Sequence, residues 1–378
     1  MVIAMAPVSS LSAESFPPPE LAARARLQEI SFERLPGFAG DDHLAAWTTL
    51  RKSCERLNEA APSIRIGQVP SSTFQAFCSV ALTAAPRDAH AARALIERYF
   101  APWRIEPIPG ANPYDRGFLT GYYEPEVAGS LERSADFQEP ILSLPDDIAY
   151  TSSISSQPVL PSRAEIDKGA LATRTRPVVW VRDGIEAFMI HVQGSARVRL
   201  PGGRLLRLAY AGRNGHPYTS IGKLLVDGGQ IAVADMSLAR LKQWVRDNGQ
   251  GEGEPGRKLL QSNRSYVFYK ALDNLKEEQG PVGGEGVELT PLRSIAVDRS
   301  LWHYGLPFWI DADLPDALGR TKPFRRLMIA QDTGTAIVGA ARADIFYGTG
   351  DKAGALAGDI RHGGNFYVLL PRTGVGSR

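Results

Sequence analysis

Near the C-terminal end of the 378-residue chain, Ala330-Gln331-Asp332-Thr333-Gly334 is followed by Ala343-Asp344-Ile345-Phe346-Tyr347-Gly348-Thr349-Gly350-Asp351. Three carboxylates thus fall in one short, glycine-rich stretch with strand-like patterning. Asp344 is followed by Ile345, Phe346 and Tyr347, and a carboxyl group held against apolar and aromatic neighbours tends to keep its proton near neutral pH. A protonated aspartate can act as a general acid. The same three residues, Asp332, Asp344 and Asp351, also suit ordinary turns and loops, where aspartate is common.

Other segments add groups suited to holding a polar polymer. Gly121-Tyr122-Tyr123-Glu124-Pro125 puts two aromatic rings and an acid at a strand end; ring faces suit the apolar faces of sugars, and Glu124 could accept hydrogen bonds from hydroxyls. In His191-Val192-Gln193-Gly194-Ser195-Ala196-Arg197, strand alternation would set Gln193, Ser195 and Arg197 on one face, as a hydrogen-bonding wall or an ordinary solvated face. Tyr210-Ala211-Gly212-Arg213-Asn214-Gly215-His216-Pro217-Tyr218 reads as a hairpin tip built on Asn214-Gly215, with Asn214 and Tyr218 as candidate recognition groups.

Several familiar signatures fail on spacing. Gly348-Thr349-Gly350 lacks the third glycine of a dinucleotide loop, and Gly222-Lys223 is followed by Leu224 where a phosphate loop needs Ser or Thr. Asp332-Thr333-Gly334 matches the aspartic-protease tripeptide, but it occurs once and such enzymes pair two. The six histidines show no metal-binding spacing, so neither a metal nor a cofactor is expected.

These residues need a scaffold of short strands. Apolar alternation broken by Gly and Pro predicts strands at Phe118 to Tyr123, Val178 to Trp180, Ala187 to Val192, Ala196 to Leu200, Leu205 to Ala211, Tyr266 to Tyr269, Leu292 to Val297, Leu306 to Ile310, Arg325 to Ala330 and Phe366 to Leu370. Helices are predicted between about Asp42 and Phe100, with Asp41 or Asp42 as the first cap, and again from Ser237 to Asn248. Residues 1–22 read as a flexible lead or the remnant of a signal: Val2-Ile3-Ala4-Met5-Ala6 ends in an A-x-A pattern but has no basic stretch before it. Cys54 and Cys78, each in a helical pattern, could form a disulfide, implying an oxidising compartment such as a periplasm, or fill the core as free thiols. The 43 basic and 41 acidic side chains leave a net +2, which gives no support for nucleic-acid or membrane-surface binding and favours a polar, weakly charged substrate.

Taken in order, Gly121-Tyr122-Tyr123-Glu124-Pro125, Val192-Gln193-Gly194-Ser195-Ala196, Gly212 to Tyr218, Asn263-Arg264-Ser265-Tyr266-Val267-Phe268, Leu289-Thr290-Pro291-Leu292 with Val297-Asp298-Arg299-Ser300, and Ala330 to Gly348 resemble the membrane-bound lytic murein transglycosylase A family. The resemblance implies a mainly β protein with N-terminal helices. After a helical region at 23–94, a double-psi β-barrel catalytic domain would comprise 95–125 and 264–372, with a β-rich glycan-binding domain inserted at 126–263. It maps the catalytic acid onto Asp344 and supporting carboxylates onto Asp332 and Asp351. Tyr122, Tyr123, Glu124, Gln193, Ser195, Arg197, Asn214 and Tyr218 would contact substrate. The implied reaction cleaves the β-1,4 bond between N-acetylmuramic acid and N-acetylglucosamine, leaving 1,6-anhydro ends. The implied setting is a periplasmic, outer-membrane-associated monomer acting on peptidoglycan strands in a wall-remodelling complex, though no lipidation cysteine lies near this N-terminus. A non-catalytic glycan-binding or wall-loosening module on the same barrel would use the same groove without the acid.

Overall fold

The computed structural model describes residues 18–148, 159–273 and 279–373. Residues 1–17 of the expected lead lie outside them. The rest of that lead is ordered: Pro19 opens a short helix, α1 (Pro19–Ala22), whose Leu21 is buried, and strand β1 (Ala25–Glu29) follows, which the sequence reading had missed. Three helices come next, α2 (His43–Asn58), α3 (Ser72–Thr83) and α4 (Ala89–Tyr99). Each starts on a side chain that accepts a backbone N–H of the first turn: Asp42, Ser71 and Asp88. Asp41, the alternative first cap, instead takes both terminal nitrogens of Arg293 at 2.7 and 2.8 Å. Cys54 and Cys78 form a disulfide between α2 and α3, with Cα atoms 4.9 Å apart.

The chain then alternates between two sheets. Strands β2 (Phe100–Pro107) and β3 (Phe118–Glu124) belong to the first, and β4 (Glu126–Ser130) and β5 (Glu139–Leu142) to the second. Helix α5 (Arg163–Asp167), β6 (Pro177–Val181), α6 (Gly184–Gln193), β7 (Ala196–Arg199) and β8 (Leu205–Arg213) follow. After α7 (Ile221–Asp227), α8 (Leu238–Asp247) and α9 (Pro255–Ser262), strand β9 (Val267–Leu272) completes the second sheet, in the order β5-β6-β4-β7-β8-β9. The chain returns to the first sheet with β10 (Ser294–Val297), β11 (Pro307–Pro315), β12 (Thr321–Asp332), β13 (Arg342–Thr349), α10 (Asp351–Gly358) and β14 (Arg361–Pro371).

The first sheet runs β1-β2-β14-β11-β12-β10-β13-β3, and β3 also pairs with β14, so strands β14, β11, β12, β10, β13 and β3 form a closed circuit. Alternate residues fill it: Ile295 and Val297, Phe308 and Ile310, Ala343 and Ile345, Phe366 and Val368. On the opposite faces, Trp309, Leu327, Ile329, Tyr367 and Leu369 pack against α2, α3 and α4. Strands covered on both sides explain the nearly unbroken apolar runs in this part of the sequence.

The architecture is mixed α/β, two sheets with N-terminal helices, rather than mainly β. Helices α5 to α9 lie among the strands of the second sheet, so the region expected to be β-rich is mixed as well. The expected strand from Ala187 to Val192 is helix α6. Asp183 caps it, Gly194 ends it at φ 84°, Ala187 and Ile190 face the second sheet, and Ile185, Phe188 and Met189 face α8 and α9. A helix with apolar residues on both its packed faces loses the single apolar stripe that reveals its period. Strand β9 pairs with β8, so residues up to 272, not 263, belong to the second sheet. Among the described residues, no helix is long and apolar enough to cross a membrane.

Candidate active site

The register of the first sheet carries widely separated residues into one row. Arg361 on β14 pairs with Thr120 on β3, Thr120 with Asp344 on β13, Asp344 with Ala296 on β10, and Ala296 with Asp332 on β12. Asp332 and Asp344 therefore flank Ala296, about two strand spacings or ~10 Å apart along the row.

Asp344 is partly exposed. Its Oδ1 accepts a hydrogen bond from the Thr120 hydroxyl at 2.6 Å, and that hydroxyl oxygen accepts one from Arg342 Nη2 at 2.7 Å. Among the described residues no side chain or backbone donor reaches Oδ2, which leaves that oxygen for a ligand. Burial pushes the Asp344 pKa above the ordinary aspartate range; Arg342 and the Thr120 bond oppose this, and the charge of Asp332 reinforces it. Asp332 is held differently: Oδ1 accepts the backbone N–H groups of Gly284 and Thr333, both at 2.8 Å, and Oδ2 accepts the Tyr122 hydroxyl at 2.9 Å. Asp351 stands outside the row, exposed in the first turn of α10, where a negative charge suits the helix dipole. The three aspartates thus take three environments, and the register brings only two together.

A cleft enclosing about 150 Å³ lies beside this row, between the end of the first sheet and helices of the second. Tyr123, Gly121, Ala357 and Arg361 line one side; Gln193, Tyr218, Phe188 and Leu238 are among the residues lining the other. Asp344 is not in that lining, but Gly121 and Arg361 flank Thr120, its hydrogen-bond donor. Both Asp344 and Arg361 act electrostatically on the Tyr218 phenol, whose pKa is raised chiefly by burial. A Cβ on Gly121 would come within 2.8 Å of the Ala357 backbone, so glycine is needed there for α10 to pack on β3.

The residues expected to touch substrate divide accordingly. Tyr123 and Tyr218 face the cleft. Gln193 lines it too, but from the end of α6, not from a strand, and its Oε1 accepts the Tyr123 N–H at 3.0 Å, joining the two walls. Tyr122 points to the other face of β3, packs on Phe346 and holds Asp332.

Glu124, expected to offer its carboxylate to hydroxyls, is fully buried. Arg207 Nε donates to Oε1 at 2.7 Å, while Arg197 Nε and Thr349 Oγ1 donate to Oε2 at 3.1 and 3.0 Å. Arg197 is buried in the same cluster and does not share a strand face with Gln193 and Ser195; Ser195 is half-buried between α6 and β7, outside the cleft lining. Asn214 is no hairpin tip either: its amide nitrogen donates to the carbonyls of Pro161 and Arg264 at 2.9 and 2.8 Å, and its oxygen accepts Tyr266 N–H. It fastens loops, with no group left for a ligand.

Sequence reading missed Thr120, Arg342 and Arg361. Thr120 and Tyr122 share a face of β3 by alternation, and Arg342 precedes Asp344 by two, so period-two spacing held a signal for the first two. Arg361 becomes a neighbour only through the β14–β3 pairing. Among the described residues no cluster of acidic, histidine or cysteine side chains has the form of a metal site.

Two family models match the chain: the MltA specific insert domain over residues 118–270 and the 3D domain over residues 293–370. A membrane-bound lytic murein transglycosylase A from Escherichia coli K12 is 35% identical over 279 residues, covering 73% of this chain and 70% of the relative. One from Vibrio cholerae is 33% identical over 266 residues, covering 69% and 67%. Among solved structures, a membrane-bound lytic murein transglycosylase from Agrobacterium tumefaciens superposes with TM-score 0.80 at 33% identity, covering 92% of this chain and 98% of that one. E. coli MltA with bound chitohexaose gives 0.65 at 28% identity, covering 87% and 89%. By identity and coverage, the chain belongs to the membrane-bound lytic murein transglycosylase A family of enzymes.

Proposed function

We propose that this protein is a lytic transglycosylase that cleaves the β-1,4 bond between N-acetylmuramic acid and N-acetylglucosamine in peptidoglycan without water, through the single acid/base Asp344. The observation that carries the reading is the state of that carboxyl group: raised pKa, one oxygen held by Thr120, the other open. Most glycosidases need two carboxyls, an acid and a base or nucleophile. Here protonated Asp344 gives its proton to the glycosidic oxygen as the bond to the muramyl C1 breaks. The carboxylate then takes the proton of the C6 hydroxyl as that oxygen bonds to C1, leaving a 1,6-anhydro sugar and a free 4-hydroxyl on the released sugar. Asp332, fixed by Gly284, Thr333 and Tyr122, supports the acid by its charge, while the charge of Asp351 acts on Tyr123 of the cleft wall.

In this reading the closed circuit of the first sheet is a double-psi β-barrel forming the catalytic domain, with the second sheet and its helices as an inserted glycan-binding domain. Tyr123, Gln193 and Tyr218 would contact the strand. The disulfide suits a periplasmic setting, and the relatives' designation as membrane-bound suggests association with the outer membrane. Glycan strands are the expected partner, as chitohexaose is for the E. coli relative, and a wall-remodelling complex is the expected context for a monomer. The test is digestion of purified murein with product chromatography, run beside Asp344→Asn. Anhydro-muropeptides from the unmodified protein and none from a folded D344N are expected; binding with no anhydro product from either would mark a non-catalytic glycan module.

A further inference from the structure

Resting on the proposed murein reaction, we infer that Arg361 is a specificity residue that receives a carboxylate carried by the muramyl sugar's lactyl arm. Arg361 is exposed at the rim of the cleft and lines it. Arg197, Arg207, Arg257 and Arg293 all have carboxylate partners; among the described residues the Arg361 guanidinium has neither a carboxylate nor an aromatic ring. It occupies one end of the row that contains Asp344, two strand spacings or ~10 Å from it along the sheet. Its charge acts on the Tyr218 phenol across the cleft, as that of Asp344 does, so the two groups share one neighbour.

A cation exposed in the lining of a cleft, with no anion among its described neighbours, is open to an anionic group on the ligand. The sugar hydroxyls and acetamido groups of a strand are neutral. The anionic groups that a muramyl sugar brings are the lactyl carboxylate of a peptide-free strand or, where that carboxyl is joined to a stem peptide, the carboxylates of the peptide. A planar guanidinium suits a carboxylate better than a point charge does, because it can donate two parallel hydrogen bonds. Opposite it, Tyr218, Phe188 and Leu238 offer uncharged surface to the sugar.

The test is calorimetric binding to the full chain carrying Asp344→Asn, so that strands bind without turnover, with and without Arg361→Ala or Arg361→Lys. The probes are chitohexaose, peptide-free murein strands, the same strands with lactyl carboxyls converted to methylamides, and peptide-bearing strands. R361A is expected to weaken peptide-free strands about tenfold, to leave chitohexaose and the methylamide strands unchanged, and to remove the salt dependence of binding, with R361K intermediate. A loss confined to peptide-bearing strands also supports the assignment and puts the carboxylate on the stem. Equal losses on chitohexaose, or no loss on any anionic strand, overturn it. Failure of the unmodified protein to release anhydro products would overturn the proposed reaction alone, because the binding comparison needs no turnover.

Discussion

Thr120 and Asp344 face each other on neighbouring parallel strands, and the threonine hydroxyl donates to Asp344 Oδ1 at 2.6 Å. That bond favours the charged carboxylate, while Asp332, across Ala296, favours the protonated acid. The two neighbours therefore oppose each other, and each can be removed separately.

With Asp344 as the acid, kcat/KM for murein cleavage should fall as pH rises through its raised pKa. Thr120→Val deletes a donor to the charged form and should move that alkaline limb to higher pH. Asp332→Asn deletes a nearby negative charge and should move it lower. Displacements of a few tenths to about one pH unit are expected. Profiles of the two variants moving in the same direction would show that the limb belongs to another group.

Glu124 with Arg197 and Arg207 is a buried charge cluster, and Glu124→Ala would leave two guanidinium groups without their counter-ion. A loss of about 3–5 kcal/mol is expected in denaturant unfolding. If the Glu124 carboxylate instead bound substrate, the variant would keep its stability and lose only affinity.

Glu285 tests a different buried acid. It accepts the Ser53 hydroxyl at 2.7 Å, and burial raises its pKa from 4.5 to about 8. A raised folded pKa means that its contribution to stability is full below about 4.5, declines as pH rises, and is gone above about 8. Glu285→Gln should flatten the dependence of the unfolding midpoint on pH across that window and be the more stable form at its alkaline end. Parallel curves for the two proteins would place the titration elsewhere. Because Gly284, the preceding residue, holds Asp332, activity at alkaline pH is a second readout.

What could be read from the sequence follows from how far each feature reaches along the chain. Alternation is enough for β3, for β14 and for most of β12, and hence for Tyr123, because period two is local; Asp332 and Asp344 stand out instead by their place in a short, glycine-rich stretch with three carboxylates. The N-terminal helices are visible from their apolar spacing, and the first also from its cap, Asp42. Helix α6 was not, since both its sides are apolar, and the polar wall expected from Gln193, Ser195 and Arg197 went with the strand assignment. Glu124 looked like a ligand because its partners, Arg197 and Arg207, lie 73 and 83 residues away. Asn214 looked like a turn tip because Pro161 and Arg264, which it fastens, lie 53 and 50 residues away. Polar residues at strand ends have the same local signature whether they greet solvent, substrate or a buried counter-ion.

The Glu124 cluster also bears on how the two walls of the cleft can move. The chain leaves the first sheet at Glu124 and comes back to it after β9, and both Arg197 and Arg207 donate to the carbonyl of Gln279 on that return path as well as to Glu124. Outgoing and returning backbone are thereby riveted to the same pair of guanidinium groups. A widening of the cleft that kept these bonds would turn about that pin, leaving the gap nearest to it at its present width.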